Sequence, residues 1–243
     1  MVTPAGYILC GTPRTGSTFL CSLLAGTGVL GRPESYFREP DEVTWAARFG
    51  LPTVGQHVQD YQSFVSAVRV AATTENGVFG ARVMWGTLDR IMQGLDAQPH
   101  QSDLSALQAA FGPLRFIHLQ REDAVGQAVS WVRAEQTGYW QQGDDVLRTP
   151  EPDVGQMIGL LRTIRKHNAS WRKWFTCNGI EPYELTYEDF SSHPKLALNA
   201  IADLLGIAPP PDWRPASSPR KQADRLNVEW SALLRSALAR DDI

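Results

Sequence analysis

The chain has 243 residues and a formal charge of −3, with apolar residues at 43% and charged residues at 20%. That balance excludes wholesale disorder, and the lack of a basic excess argues against an electrostatic nucleic-acid binder. No apolar run approaches the ~18 residues of a membrane span, and the N-terminus lacks the basic region of a secretory signal. Cys10, Cys21 and Cys177 are too few and too scattered for a disulfide framework or a zinc site. A single cytoplasmic domain is the expectation.

Gly6 to Cys10 is a short apolar run and reads as a buried strand. Ser17 to Ala25 follows as a helix closed by Gly26 and Gly28. Gly31 to Thr53, rich in Pro, Gly and charge, reads as a loop. A helix over Tyr61 to Thr73 and a strand over Val78 to Met84 come next, then a helix over Asp103 to Phe111. Arg115 to Leu119 is a third strand with a helix after it over Asp123 to Gln136, and Val154 to Phe175 is a long amphipathic helix. Pro182 to Thr186 is a fourth strand. Pro194 opens a helix to Leu205, at a position where the missing N–H costs nothing. A proline-rich extended connector, 209–219, leads to a last helix over Val228 to Ala239. Strands alternating with helices imply an α/β fold with a mostly parallel sheet of about four or five strands. Ligands of such sheets sit beyond the carboxyl ends of the strands, here the loops after Cys10, Met84, Leu119 and Thr186.

The first of these loops, Gly11-Thr12-Pro13-Arg14-Thr15-Gly16-Ser17-Thr18, fits the phosphate-loop pattern with Ser17 in place of the usual lysine. Strand, glycine turn and helix N-terminus together make an anion cradle, so Thr15, Gly16, Ser17 and Thr18 can hold a phosphate-like group. The missing lysine, with Arg14 as the nearest cation, argues against ordinary Mg-ATP hydrolysis. Arg121, at the end of the third strand, and Ser130, two and a half turns along the next helix, can converge on one anion.

Pro13-Arg14-Thr15-Gly16-Ser17-Thr18, the Arg121 and Ser130 pair and Tyr187-Glu188-Asp189-Phe190 together resemble a sulfotransferase. The segments 31–37 (GRPESYF), 80–85 (GARVMW), 127–131 (QAVSW), 171–175 (WRKWF) and 220–224 (RKQAD) resemble, in order, the bacterial family typified by mycobacterial trehalose 2-sulfotransferase. The resemblance runs from Tyr7 to Trp230. It implies a P-loop-type α/β domain that transfers a sulfuryl group from 3′-phosphoadenosine 5′-phosphosulfate to a hydroxyl, without a metal. The acceptor it implies is a sugar such as trehalose, or a glycolipid, and a homodimer is compatible with it. Arg14, Thr15, Gly16, Ser17 and Thr18 would hold the phosphosulfate, Arg121 and Ser130 the 3′-phosphate, and Arg220, Lys221 and Gln222 a late loop over the nucleotide. Pro13, Arg32, Ser35, Tyr36, Phe37, Trp45, Arg82 and Trp85 are the acceptor-side candidates.

One departure bears on the chemistry. The family's general-base glutamate falls where this chain has Ser35, and Glu34 stands one position earlier. A one-residue shift of this Pro-flanked loop would bring Glu34 into place as the base, with Arg14 as the catalytic cation. His118 is the other candidate base. A non-catalytic nucleotide-binding relative and an atypical P-loop kinase are the alternative functions.

Overall fold

Gly6–Gly11 carries no charge and is buried along its whole length, as a central strand covered on both faces must be. The computed structural model describes residues 6–96, 101–140, 144–208 and 225–240. Its elements, in order, are β1 (Gly6–Gly11), α1 (Ser17–Gly26), α2 (Asp41–Arg48), β2 (Thr53–Val54), β3 (His57–Val58), α3 (Tyr61–Ala72), β4 (Phe79–Met84), α4 (Thr87–Gly94), α5 (Asp103–Phe111), β5 (Leu114–Gln120), α6 (Ala124–Thr137), α7 (Val154–Cys177), β6 (Tyr183–Thr186), α8 (Tyr187–Ser192), α9 (Pro194–Leu205) and α10 (Arg225–Arg240). The expected connector 209–219 lies outside the described residues, as do Arg220, Lys221 and Gln222.

Four parallel strands form the sheet in the order β4-β1-β5-β6. The chain leaves β1 toward β4 on one side and leaves β5 toward β6 on the other. The reversal opens a crevice beyond the carboxyl ends of β1 and β5, the usual ligand position of such a sheet. Alternation along the strands assigns the two faces. Ile8, Cys10, Val83 and Phe116 join α3 and Trp171, Trp174 and Phe175 of α7 on one face. Tyr7, Leu9, Ile117 and Leu119 join α1 and α9 on the other. A third cluster unites α6, α7 and α10 around Val132, Leu161 and Trp230.

The loop expected over Gly31 to Thr53 is in part ordered structure. Residues 31–35 run beside β4. A Cβ on Gly31, whose φ is +77°, would lie 2.9 Å from the Gly80 nitrogen, and the Arg82 N–H donates to the Glu34 carbonyl at 3.1 Å. Helix α2 follows. Its inward positions are Ala46 and Glu42, and a carboxylate facing the core hides the apolar periodicity. Glu42 is fully buried and accepts two hydrogen bonds from Arg90 of α4, at 2.8 and 2.9 Å. Helices α4 and α8 are also additions to the expected elements. The segment 187–190 begins a helix, capped where the Asp189 N–H donates to Thr186 Oγ1 at 3.1 Å, rather than continuing as loop.

Removing Arg90 would strand the buried Glu42 carboxylate, which costs roughly 3–5 kcal/mol in comparable pairs. Arg90→Ala is therefore expected to lose about that much stability in urea titration; a loss below about 1 kcal/mol would mean that water reaches Glu42.

Candidate active site

The turn that links β1 to α1 holds two left-handed residues, Arg14 at φ +68° and Gly16 at φ +74°. Such a turn gathers successive backbone N–H groups on one side. Gly16 is required twice, because a Cβ there would also lie 2.5 Å from the Tyr187 ring. No side chain caps the N-terminus of α1, so its first amides are left for an anion. The turn is held from behind. Gln127 of α6, fully buried, donates through Nε2 to Thr12 Oγ1 and to the Pro13 carbonyl, both at 2.7 Å. Thr15 Oγ1 donates to the Thr12 carbonyl at 3.0 Å. The Gly11 carbonyl accepts from the Trp171 indole at 3.0 Å and from the Trp85 N–H at 3.2 Å.

Positive charge converges at two ends of this turn. At one end Arg14 Nε donates to Ser130 Oγ at 3.0 Å, and its Nη1 donates to the Trp140 carbonyl. Burial, then the nearby Arg121 and Arg133 guanidiniums, lower the Arg14 pKa to about 10, so it stays charged at neutral pH. Arg121 lies over the Tyr187 ring, 5.0 Å from its centroid. Its Nε is buried, 4.0 Å from Glu188 Oε1 and without a hydrogen-bond partner among the described residues. The Glu188 carboxylate is engaged elsewhere, accepting from the Glu122 and Asp123 N–H groups at 3.1 and 3.4 Å. An anion between Arg14, Ser130 and Arg121 would relieve the crowding of like charges and give Arg121 Nε an acceptor.

At the other end Arg82 of β4 donates through Nη1 to Thr18 Oγ1 at 2.7 Å and to Ser17 Oγ at 3.3 Å. Its Nε donates to Ser35 Oγ at 2.8 Å. Ser35 is buried against Arg82, and the Arg82–Glu34 backbone bond fixes the register. The one-residue shift considered for Glu34 is thus excluded: it would break that bond and expel Ser35. Glu34 is exposed, and Arg82 acts on its carboxyl electrostatically. The protein packed around its carboxyl raises the pKa, an effect that Arg82 and Arg48 oppose and Asp41 reinforces.

Several candidates fall elsewhere. Arg32 Nη1 donates to the Thr73 carbonyl at 3.1 Å, away from the carboxyl ends. Tyr36 and Phe37 are 2% and 1% exposed and belong to the core, so neither offers a face to a sugar. The Trp45 ring is covered by Arg48, 4.7 Å from its centroid. His118 is fully buried on the face opposite Arg82, paired with Glu184 at 3.0 Å and packed against Phe175, which makes it a structural residue rather than a base. Trp85 is half-buried and edge-on to Trp171 at 5.0 Å, and its backbone N–H meets the Gly11 carbonyl beside the turn. Sequence reasoning missed Gln127, Arg133 and Trp140. Gln127 left a signal as the first residue of the segment 127–131, and Arg133 left one as a cation one helical turn after Ser130.

Residues 6–236 match the Stf0 sulphotransferase family. Trehalose 2-sulfotransferase of Mycobacterium tuberculosis is 28% identical over 92% of this chain and 92% of its own length. Trehalose 2-sulfotransferase of Mycolicibacterium smegmatis is 28% identical over 99% of this chain and 98% of its own length. The solved sulfotransferase domain from the curacin biosynthetic pathway shares the fold, with a TM-score of 0.54 at 16% identity over 92% of this chain and 82% of that one. A lysine-free cradle with guanidiniums at both ends is out of place in a kinase, and the match over nearly the whole sequence agrees: this chain is a sulfotransferase of the Stf0 family.

Proposed function

We propose that the chain transfers the sulfuryl group of 3′-phosphoadenosine 5′-phosphosulfate to a hydroxyl of a sugar related to trehalose. The observation that carries this reading is the pair of separate cationic sites flanking one anion cradle, matching a donor with two separate anionic groups. Arg121, Ser130 and Arg14 suit the 3′-phosphate. The amides of the turn, Ser17, Thr18 and Arg82 suit the phosphosulfate. Trehalose is the acceptor named for both mycobacterial relatives.

The transfer is an in-line displacement. The acceptor oxygen forms a bond to sulfur while the bond from sulfur to the bridging oxygen breaks, releasing adenosine 3′,5′-bisphosphate and a sulfate ester. Negative charge grows on the bridging oxygen, where Arg82 and the helix N-terminus offer fixed positive charge. The acceptor's proton passes to the Glu34 carboxylate, whose raised pKa makes it a better base than a free surface carboxylate. Ser35 holds Arg82 in place through its Oγ.

Three measurements bear on this. Adenosine 3′,5′-bisphosphate should raise the melting temperature of the wild-type protein, and Arg121→Ala should weaken its Kd by about 10–100-fold, the value of a charged hydrogen bond; calorimetry showing unchanged affinity would remove Arg121 from the donor site. Glu34→Gln should lower kcat by about two to three orders of magnitude while donor affinity holds. Because the base must be ionised, kcat/KM should rise with pH through the Glu34 pKa, with this limb displaced above the usual carboxylate range and absent in Glu34→Gln. Near-normal turnover in that variant would take the base role away from Glu34.

A further inference from the structure

Arg121 directly follows β5, and its guanidinium lies over the Tyr187 ring and against the first turn of α6. Gly126 is the residue of α6 that it meets. A Cβ on Gly126 would stand 3.1 Å from Arg121 Nη2 and 2.2 Å from Asp123 Oδ2. No carbon approaches a carboxylate oxygen as closely as the second distance, so a side chain at 126 would push these groups aside. Gly126 lies within the helix and is not among the left-handed glycines, so backbone conformation does not call for glycine here. Glycine also weakens a helix. What it supplies at this position is room.

The room is used by a guanidinium that the protein leaves ready. Two carboxylates stand near Arg121, and both are turned to other donors. Glu188 accepts from the Glu122 and Asp123 N–H groups. Asp123 Oδ1 accepts from the Gly126 N–H at 3.0 Å, capping α6, and from Arg235 Nη2 of α10 at 2.9 Å. Arg121 Nε stays buried without an acceptor among the described residues. Gly126 and Ser130, four residues apart, share one face of α6. Arg121 lies against the first of them, and Arg14 donates to the second at 3.0 Å. The bare α-carbon thus sets how Arg121 lies along the helix face that carries Ser130.

We infer that Gly126 is a positioning residue for the donor: its missing side chain lets Arg121 lie along α6 and face a 3′-phosphate together with Ser130. The preference for a nucleotide that carries this group over one that lacks it depends on that room. This deepens the sulfuryl-transfer reading and rests on it. A guanidinium presents its donors in a rigid fork, so a small displacement misaligns it with a phosphate more than it would a lysine. Gly126 itself touches no reacting atom and acts through Arg121.

The test compares two nucleotides by calorimetry, adenosine 3′,5′-bisphosphate and adenosine 5′-monophosphate, which lacks only the 3′-phosphate. In Gly126→Ala the Kd of the bisphosphate should rise about tenfold, while that of the monophosphate stays within about twofold of wild type. Gly159→Ala on α7, where a Cβ meets no atom within 4 Å, is the control and should leave both affinities unchanged. In an Arg121→Ala background, Gly126→Ala should cost the bisphosphate less than about twofold more, since the side chain it acts through is gone. An unchanged ratio of the two affinities in Gly126→Ala would overturn the inference. So would equal losses for both nucleotides with a fall in melting temperature, the mark of a displaced helix end, or a loss that persists in full without Arg121. A wild-type protein that binds both nucleotides equally would bring down the 3′-phosphate assignment itself, and this inference with it.

Discussion

A loop can present its amides to a ligand only if something behind it holds the backbone in place. Here that support comes from two helices distant in sequence. Gln127 grips Thr12 and Pro13, and Trp171 grips the Gly11 carbonyl. Both side chains are buried, so their hydrogen bonds form in a medium that strengthens them. The left-handed residues Arg14 and Gly16 are strained or glycine-dependent conformations, and this scaffold over-determines them. Preorganisation of this kind lets a site stabilise developing charge without reorganising at the moment of reaction.

The chemistry divides along the same turn. Arg14 faces α6 through Ser130, whereas Arg82 faces α1 through Ser17 and Thr18. Arg14 and Arg82 thus bring positive charge to two different positions along the turn. Arg82 reaches the loop hydroxyls because β4 adjoins β1 in parallel register, with Leu9 opposite Arg82. The donor's two anionic ends would then be read by different walls of the crevice, and the distance between those walls is set by the sheet.

The sheet was legible because its central strands are short apolar runs bounded by turn residues, and the long helices because their periodicity is strong. Helix α2 was not, since its core-facing Glu42 is a carboxylate whose partner, Arg90, is 48 residues away. The cradle could be read because all its parts lie within eight consecutive residues. Tyr36 and Phe37 were misplaced because a motif's order in the chain does not say which way a side chain points, and both point into the core. Gln127 lies in a segment quoted for its resemblance, but its role as a brace appears only when the fold brings Thr12 and Pro13 beside it.

The strip that flanks β4 has a consequence for how this enzyme could diverge. Gly31 abuts Gly80, and the Arg82 N–H donates to the Glu34 carbonyl, so main-chain contacts help to set the path of this strip. A change of side chain at position 34 therefore leaves the main-chain path of this strip in place. Under the proposed function, the groups beyond β1 and β5 that would hold the nucleotide stand apart from this strip. One lineage can try new hydroxyl compounds at this border while keeping a single source of activated sulfate.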